Sequence, residues 1–213
     1  MTEKSTQNAQ SWLSDAYDSS TRIAVQNLIN TKGEDLIESF YKDLDFGTGG
    51  MRGIMGVGSN RINKYTIGKA TQGLANTLIE MYPNDDISVA IAYDCRNNSD
   101  FLAQVSADVL SANGIKVFLF SALRPTPELS FAVRELSCKS GIVITASHNP
   151  KEYNGYKVYG NDGCQIVNPF DVELIKKVRA LSIEDVNFNK QEDLISTLGE
   201  EFDTLYINRI KTL

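Results

Sequence analysis

With 213 residues, 42% of them hydrophobic and 23% charged, the chain has the size and composition of one sizeable globular domain with appendages. A net charge of −6 argues against non-specific nucleic-acid binding as its main activity, and no apolar run reaches the roughly 18 residues that span a bilayer. The polar start, Met1 to Gln7, lacks an apolar signal region, and Cys95, Cys138 and Cys164 form no C-x-x-C pair, so neither a disulfide framework nor a zinc site is expected and the expected compartment is the cytoplasm.

The first forty residues read as helical: Trp12, Leu13 and Tyr17 share one face, Ile23, Val25, Leu28 and Ile29 another, and Glu34 to Lys42 a third short helix. This gives a helical extension over 1–42 that caps a core and carries no chemistry. Phe46 to Asn63 holds glycines at 47, 49, 50, 53, 56 and 58, a density expected to exclude regular secondary structure. Lys64 to Tyr82 is a helix, with Ile67, Leu74, Leu78 and Met81 at helical spacing and Pro83 beyond.

From there strands and helices alternate. Ile87 to Tyr93 is a strand ending in Asp94, and Ser99 is placed to cap a helix closed by Asn113-Gly114. Ile115 to Phe120 is a second strand, followed by Arg124-Pro-Thr-Pro127, a rigid helix start with Pro at N1. Gly141 to Thr145, a strand near Tyr156 to Tyr159 and a helix from Pro169 to Leu181 complete the core, after which the tail turns polar and ends in an amphipathic stretch, Phe202 to Ile210. The alternation predicts an α/β fold: three layers, α/β/α, around a mixed, largely parallel sheet.

Thr145-Ala-Ser-His-Asn-Pro150, running on to Asn154-Gly-Tyr-Lys157, is the most informative segment. It puts Ser147 on the loop after a buried strand, beside the chain's only histidine, His148, and at an edge where open α/β sheets bind ligands. Ser, Asn and Pro also favour a plain turn, and that reading stands beside the functional one. A serine hydrolase fits poorly: neighbours on an extended segment point apart, and G-x-S-x-G is missing. In the glycine segment neither a dinucleotide fingerprint nor a phosphate-binding P-loop fits; an anion-binding loop containing Arg52 and a merely tight connection both remain. Asn161-Asp162-Gly163 reads as a turn rather than a metal loop, and Asp94 as either functional or a cap.

The serine segment, together with Phe46-Gly-Thr-Gly-Gly-Met-Arg-Gly53 and Thr126-Pro127, resembles the phosphoserine domain of the α-D-phosphohexomutases, the phosphoglucomutase and phosphomannomutase family. Met55-Gly56 and Asn60-Arg61-Ile-Asn63 are most similar to the phosphoglucomutase branch with phosphopentomutase-like members. The resemblance implies a first domain over 43–205, with 206–213 starting a linker to further domains of the same polypeptide. It implies that Ser147 carries a phosphoryl group between the 1- and 6- (or 5-) positions of a sugar phosphate through a bisphosphate. Arg52 would hold the transferring phosphate, Asn149 would add a phosphate or substrate contact, and His148 and Lys157 would exchange protons with the sugar hydroxyl. Magnesium would be held partly by the Ser147 phosphate, with a sugar 1,6-bisphosphate as activator. The family's metal-binding, sugar-selecting and distal phosphate loops are not in this sequence, so the chain by itself is expected not to turn over a sugar phosphate. The competing expectation is a stand-alone phosphosugar-binding module without catalysis. Neither nucleic acid nor membrane is expected as a partner.

Overall fold

The structure, a computed structural model, describes residues 2–47 and 49–212. Three helices come first: α1 (Thr2–Ser11), α2 (Ser19–Thr31) and α3 (Glu34–Phe40). The expected helical face at Trp12, Leu13 and Tyr17 lies outside them. The amides of Trp12 and Leu13 bond three residues back, to Ala9 and Gln10, which closes α1 in a tight turn. Trp12 and Tyr17 are nevertheless buried and stack at 4.5 Å, beside Phe40 and a tyrosine of the core, Tyr65. The extension is thus held by an aromatic cluster of its own.

The core is a six-stranded sheet: β1 (Gly50–Ile54), β2 (Ser88–Tyr93), β3 (Lys116–Phe120), β4 (Ser140–Ile144), β5 (Tyr153–Gly160) and β6 (Ile195–Leu198), in the order β1-β5-β4-β2-β3-β6. The pairs β2–β3, β2–β4 and β3–β6 are parallel, while β5 runs antiparallel to both β1 and β4. The sheet is therefore mixed and mainly parallel, as its alternating pattern predicts. Along β2, Val89 and Ile91 join one core, and Ala90 and Ala92 the other. Helices α4 (Lys64–Met81), α5 (Ser99–Ala112) and α7 (Phe170–Ala180) cover the first face. Helices α6 (Thr126–Glu135) and α8 (Glu200–Ile210) cover the second, which completes the three layers. Helix α8 is continuous across residues 205 and 206. No helix among the described residues is long and apolar enough to cross a membrane.

Two strands depart from the sequence expectations. The glycine-rich segment contains β1, an edge strand, where irregular backbone was expected. Its glycines permit close approach: a Cβ on Gly50, at φ +153°, would lie 2.0 Å from the Tyr156 carbonyl oxygen, and one on Gly155 2.6 Å from that of Thr145. Strand β6, in the tail read as polar, is four residues long and shows little alternation; its ladder to β3 builds it. A smaller departure concerns Ser99. It begins α5 instead of capping it, and its hydroxyl donates to Asp94 Oδ1 at 2.8 Å.

Candidate active site

Strands β2, β3 and β4 run parallel, so their carboxyl ends meet at one edge. After β4 the chain turns sharply. Ser147 takes the left-handed conformation, φ 55°, its amide donating to Thr145 Oγ1 at 3.0 Å, and the Asn149 amide bonds back to the Ala146 carbonyl at 3.1 Å. The segment is therefore a turn, and the same turn leaves the Ser147 side chain exposed.

Strand β5 returns antiparallel beside the turn and brings Lys157 to it. Lys157 Nζ lies 3.0 Å from Ser147 Oγ. Burial lowers the lysine pKa, the Arg52 charge lowers it further, and Asp94 opposes both. A lowered pKa leaves a larger share of the amine unprotonated near neutral pH, the form that can take a proton from a hydroxyl. Arg52 projects from β1, exposed, and among the described residues its side chain donates once, Nη1 to Asn149 Oδ1 at 2.8 Å. Its remaining donors are open to a ligand. Asn149 thereby connects Arg52 to the serine turn.

The structure brings Ser147, Lys157, Arg52 and Asn149 together. It does not bring His148 to the serine hydroxyl: His148 is exposed and has no hydrogen bond or ion pair among the described residues. Asn161-Asp162-Gly163 is a turn, as expected, with Asp162 Oδ1 accepting from the Cys164 amide at 2.8 Å. Asp94 is occupied internally, accepting from the Arg96 amide at 2.9 Å and from the Ser99 hydroxyl.

One group at this edge escaped the sequence reading, and a second was read only as part of a helix start. Arg96, on the loop after β2, lies against the serine turn, and its one sequence signal is its position two residues beyond an aspartate that ends a strand. Farther along the edge, Arg124 forms a forked pair with Asp203 of α8, both bonds 2.6 Å, beside the buried carboxyl of Glu128. Burial and the neighbouring Asp203 carboxylate raise the Glu128 pKa to about 7, and its Oε1 has no hydrogen-bond partner among the described residues.

No group of three or more His, Cys, Asp or Glu side chains among the described residues is arranged to hold a metal ion. Magnesium therefore does not fit as an ion held by these side chains alone.

Fold and edge together define a three-layer α/β domain of the kind that presents a ligand site at the carboxyl ends of parallel strands, here with a serine and cations. The model of the phosphoglucomutase/phosphomannomutase alpha/beta/alpha domain I matches residues 43–184, and the chain belongs to this family. It is 38% identical over 205 residues to a phosphoglucomutase of Staphylococcus haemolyticus, an alignment covering 88% of this chain and 37% of that protein. It is 50% identical over 129 residues to a phosphoglucomutase of Staphylococcus aureus, covering 61% and 23%. The crystal structure of a candidate phosphomannomutase from Thermus thermophilus superposes with a TM-score of 0.62 at 30% identity, over 74% of this chain and 33% of that one. The chain thus spans little more than a third of the length of the Staphylococcus haemolyticus relative.

Proposed function

We propose that this chain is the phosphoserine domain of a phosphosugar mutase, with Ser147 as the phosphoryl carrier for hexose or pentose phosphates. The observation that carries the reading is the 3.0 Å contact between Ser147 Oγ and Lys157 Nζ at the strand edge, with the exposed Arg52 beside it. In the forward half-reaction the bond between phosphorus and Ser147 Oγ breaks and one to a sugar hydroxyl oxygen forms. The sugar hydroxyl gives its proton to a base, and Ser147 Oγ recovers one. Phosphoryl transfer depends mainly on positioning and on offsetting charge over the equatorial oxygens. Arg52, with donors to spare and a planar fork, suits that task, and Lys157 with its lowered pKa suits the proton transfer. His148, exposed and unbonded, is free to serve a sugar hydroxyl on the solvent side. A phosphate on Ser147 would be this chain's ligand for magnesium, an ion that supplies charge neutralisation when bound; the remaining ligands would come from other domains of the polypeptide.

The test is the state of Ser147 in the native polypeptide, recovered from its source with an antibody to this domain. Phosphate on the Ser147 peptide, in a product more than twice 23.6 kDa, is the expected result. An unmodified Ser147 in a product near 23.6 kDa, binding sugar phosphates reversibly, would replace this reading with a binding module.

A further inference from the structure

Arg96 lies on the loop after β2, and all four N–H donors of its two terminal nitrogens are engaged. Nη2 donates to the carbonyls of Ser147 and Asn149, both at 2.7 Å, and Nη1 to those of Pro150 at 2.9 Å and Tyr153 at 3.1 Å. Nε sits 3.5 Å from Asp94 Oδ2, and only 12% of the side chain is exposed. Of the five N–H donors of a guanidinium, four are thus bonded to the turn and the fifth, on Nε, faces Asp94, which leaves no free fork for a substrate phosphate. In this respect Arg96 is the opposite of Arg52.

The bonds span most of the turn. Four carbonyls between residues 147 and 153 converge on one cation, although their peptide planes follow a chain that reverses direction. In a trans peptide the N–H points away from its C=O. Fixing the Ser147 carbonyl on Arg96 therefore turns the His148 amide the other way, where it has no partner among the described residues. Ser147 itself is held at φ 55°, a left-handed conformation that a serine adopts only when its surroundings impose it. The clamp is anchored in turn. Asp94 holds the Arg96 amide and the Ser99 hydroxyl, and Ser99 Oγ accepts from Asn154 Nδ2 at 3.0 Å, at the start of β5.

We propose that Arg96 is a positioning residue: it clamps the serine turn through its carbonyls and so keeps Ser147 Oγ within reach of Lys157 Nζ. The proposal rests on the phosphoserine reading for its catalytic consequence, but the clamp itself does not. Lysine in its place keeps the charge and loses the fork, so Arg96→Lys separates the two contributions.

The experiment compares wild type, Arg96→Lys and Arg96→Ala, each in the full-length polypeptide, in two measurements. In amide hydrogen exchange, residues 146–153 should exchange at least about tenfold faster in both variants, while amides of β2 and β4 keep wild-type protection. In the second, phosphate transfer to Ser147 from a sugar 1,6-bisphosphate should slow by about a hundredfold, as expected for a misplaced reacting atom. Millimolar guanidinium should restore part of that rate in Arg96→Ala and none in Arg96→Lys, whose side chain fills the site. Unchanged exchange in the turn would overturn the clamp. Acceleration spread equally over the strands would reduce Arg96 to a general stabiliser and overturn the positioning role. A wild-type Ser147 that accepts no phosphate would defeat the phosphoserine reading instead, leaving exchange to decide the clamp.

Discussion

The serine turn and the N-terminal helical extension are both appendages of the same sheet core, yet they are fastened by opposite means. Hydrogen bonds fasten the turn: four from Arg96 to its carbonyls, one from Lys157 to Ser147 and one from Arg52 to Asn149. The extension is fastened by burial, with Trp12, Tyr17, Phe40 and Tyr65 packed ring against ring. Directional bonds fix where an exposed atom sits and add little to global stability. Buried rings add stability and leave orientation to packing. Substitutions in the two regions should therefore be read by different instruments.

The largest effect is expected at Ser147. Ser147→Ala should abolish phosphate uptake, read by mass spectrometry of the Ser147 peptide, while the melting temperature stays unchanged because the side chain is exposed. Labelling of the variant above a few per cent of wild type would move the carrier elsewhere. Lys157→Ala should slow phosphoryl transfer by about 10²–10⁴-fold, the usual contribution of a placed proton-transfer group. The pH profile sharpens this. The rate should rise as the Lys157 amine loses its proton, and Arg52→Ala, which removes a charge that lowers the Lys157 pKa, should shift that rise to higher pH. A profile that stays in place would separate the two cations.

The other side of the comparison is broken at Trp12. Trp12→Ala should lower the unfolding free energy by about 3–5 kcal/mol in denaturant titrations, leaving exchange in the serine turn as it was. Loss of protection in the turn as well would show that the two regions are coupled. The smallest effect is expected at Glu128, where polar fastening and burial coincide. Its folded-state pKa is raised from 4.5 to about 7, so the folded protein retains a proton that the unfolded chain gives up. Stability should therefore fall as pH rises from about 4.5 and level off above about 7. Asp203, lowered chiefly by its bond to Arg124, acts below that window, its contribution being lost as pH drops through the acid range. Glu128→Gln should flatten the decline and exceed wild type by about 1–2 kcal/mol at pH 8. A decline of equal depth in the variant would assign it to another group.

What the sequence revealed follows from where information is stored along the chain. Helix α4 was legible because burial on one face writes a helical period, and strands β2 to β4 because short apolar runs bounded by turn residues read as buried strands. Ser147, Lys157 and Arg52 were legible through the motifs around them. Strand β1 was hidden because glycine density reads as disorder of backbone, whereas Gly50 and Gly155 are needed where backbones come too close for a Cβ. The ladder to β3 that builds β6 lies outside its own four residues. Arg96 was hidden more deeply, since its partners are main-chain carbonyls 51 to 57 residues away, and carbonyls are the same in every residue. No side-chain pattern records such a contact.

The pairing of β1 with β5 has a consequence for how this edge can vary. Arg52 stands opposite Gly155 and Lys157 opposite Gly50, so one ladder indexes both cations. Side chains alternate faces with every residue, and a slip of one position would turn Arg52 to the other side of the sheet. The spacing between the two charges is thus quantised. It can be kept or lost, but it admits no gradual adjustment, and insertions between residues 50 and 54 should be far less tolerable than changes in the side chains themselves.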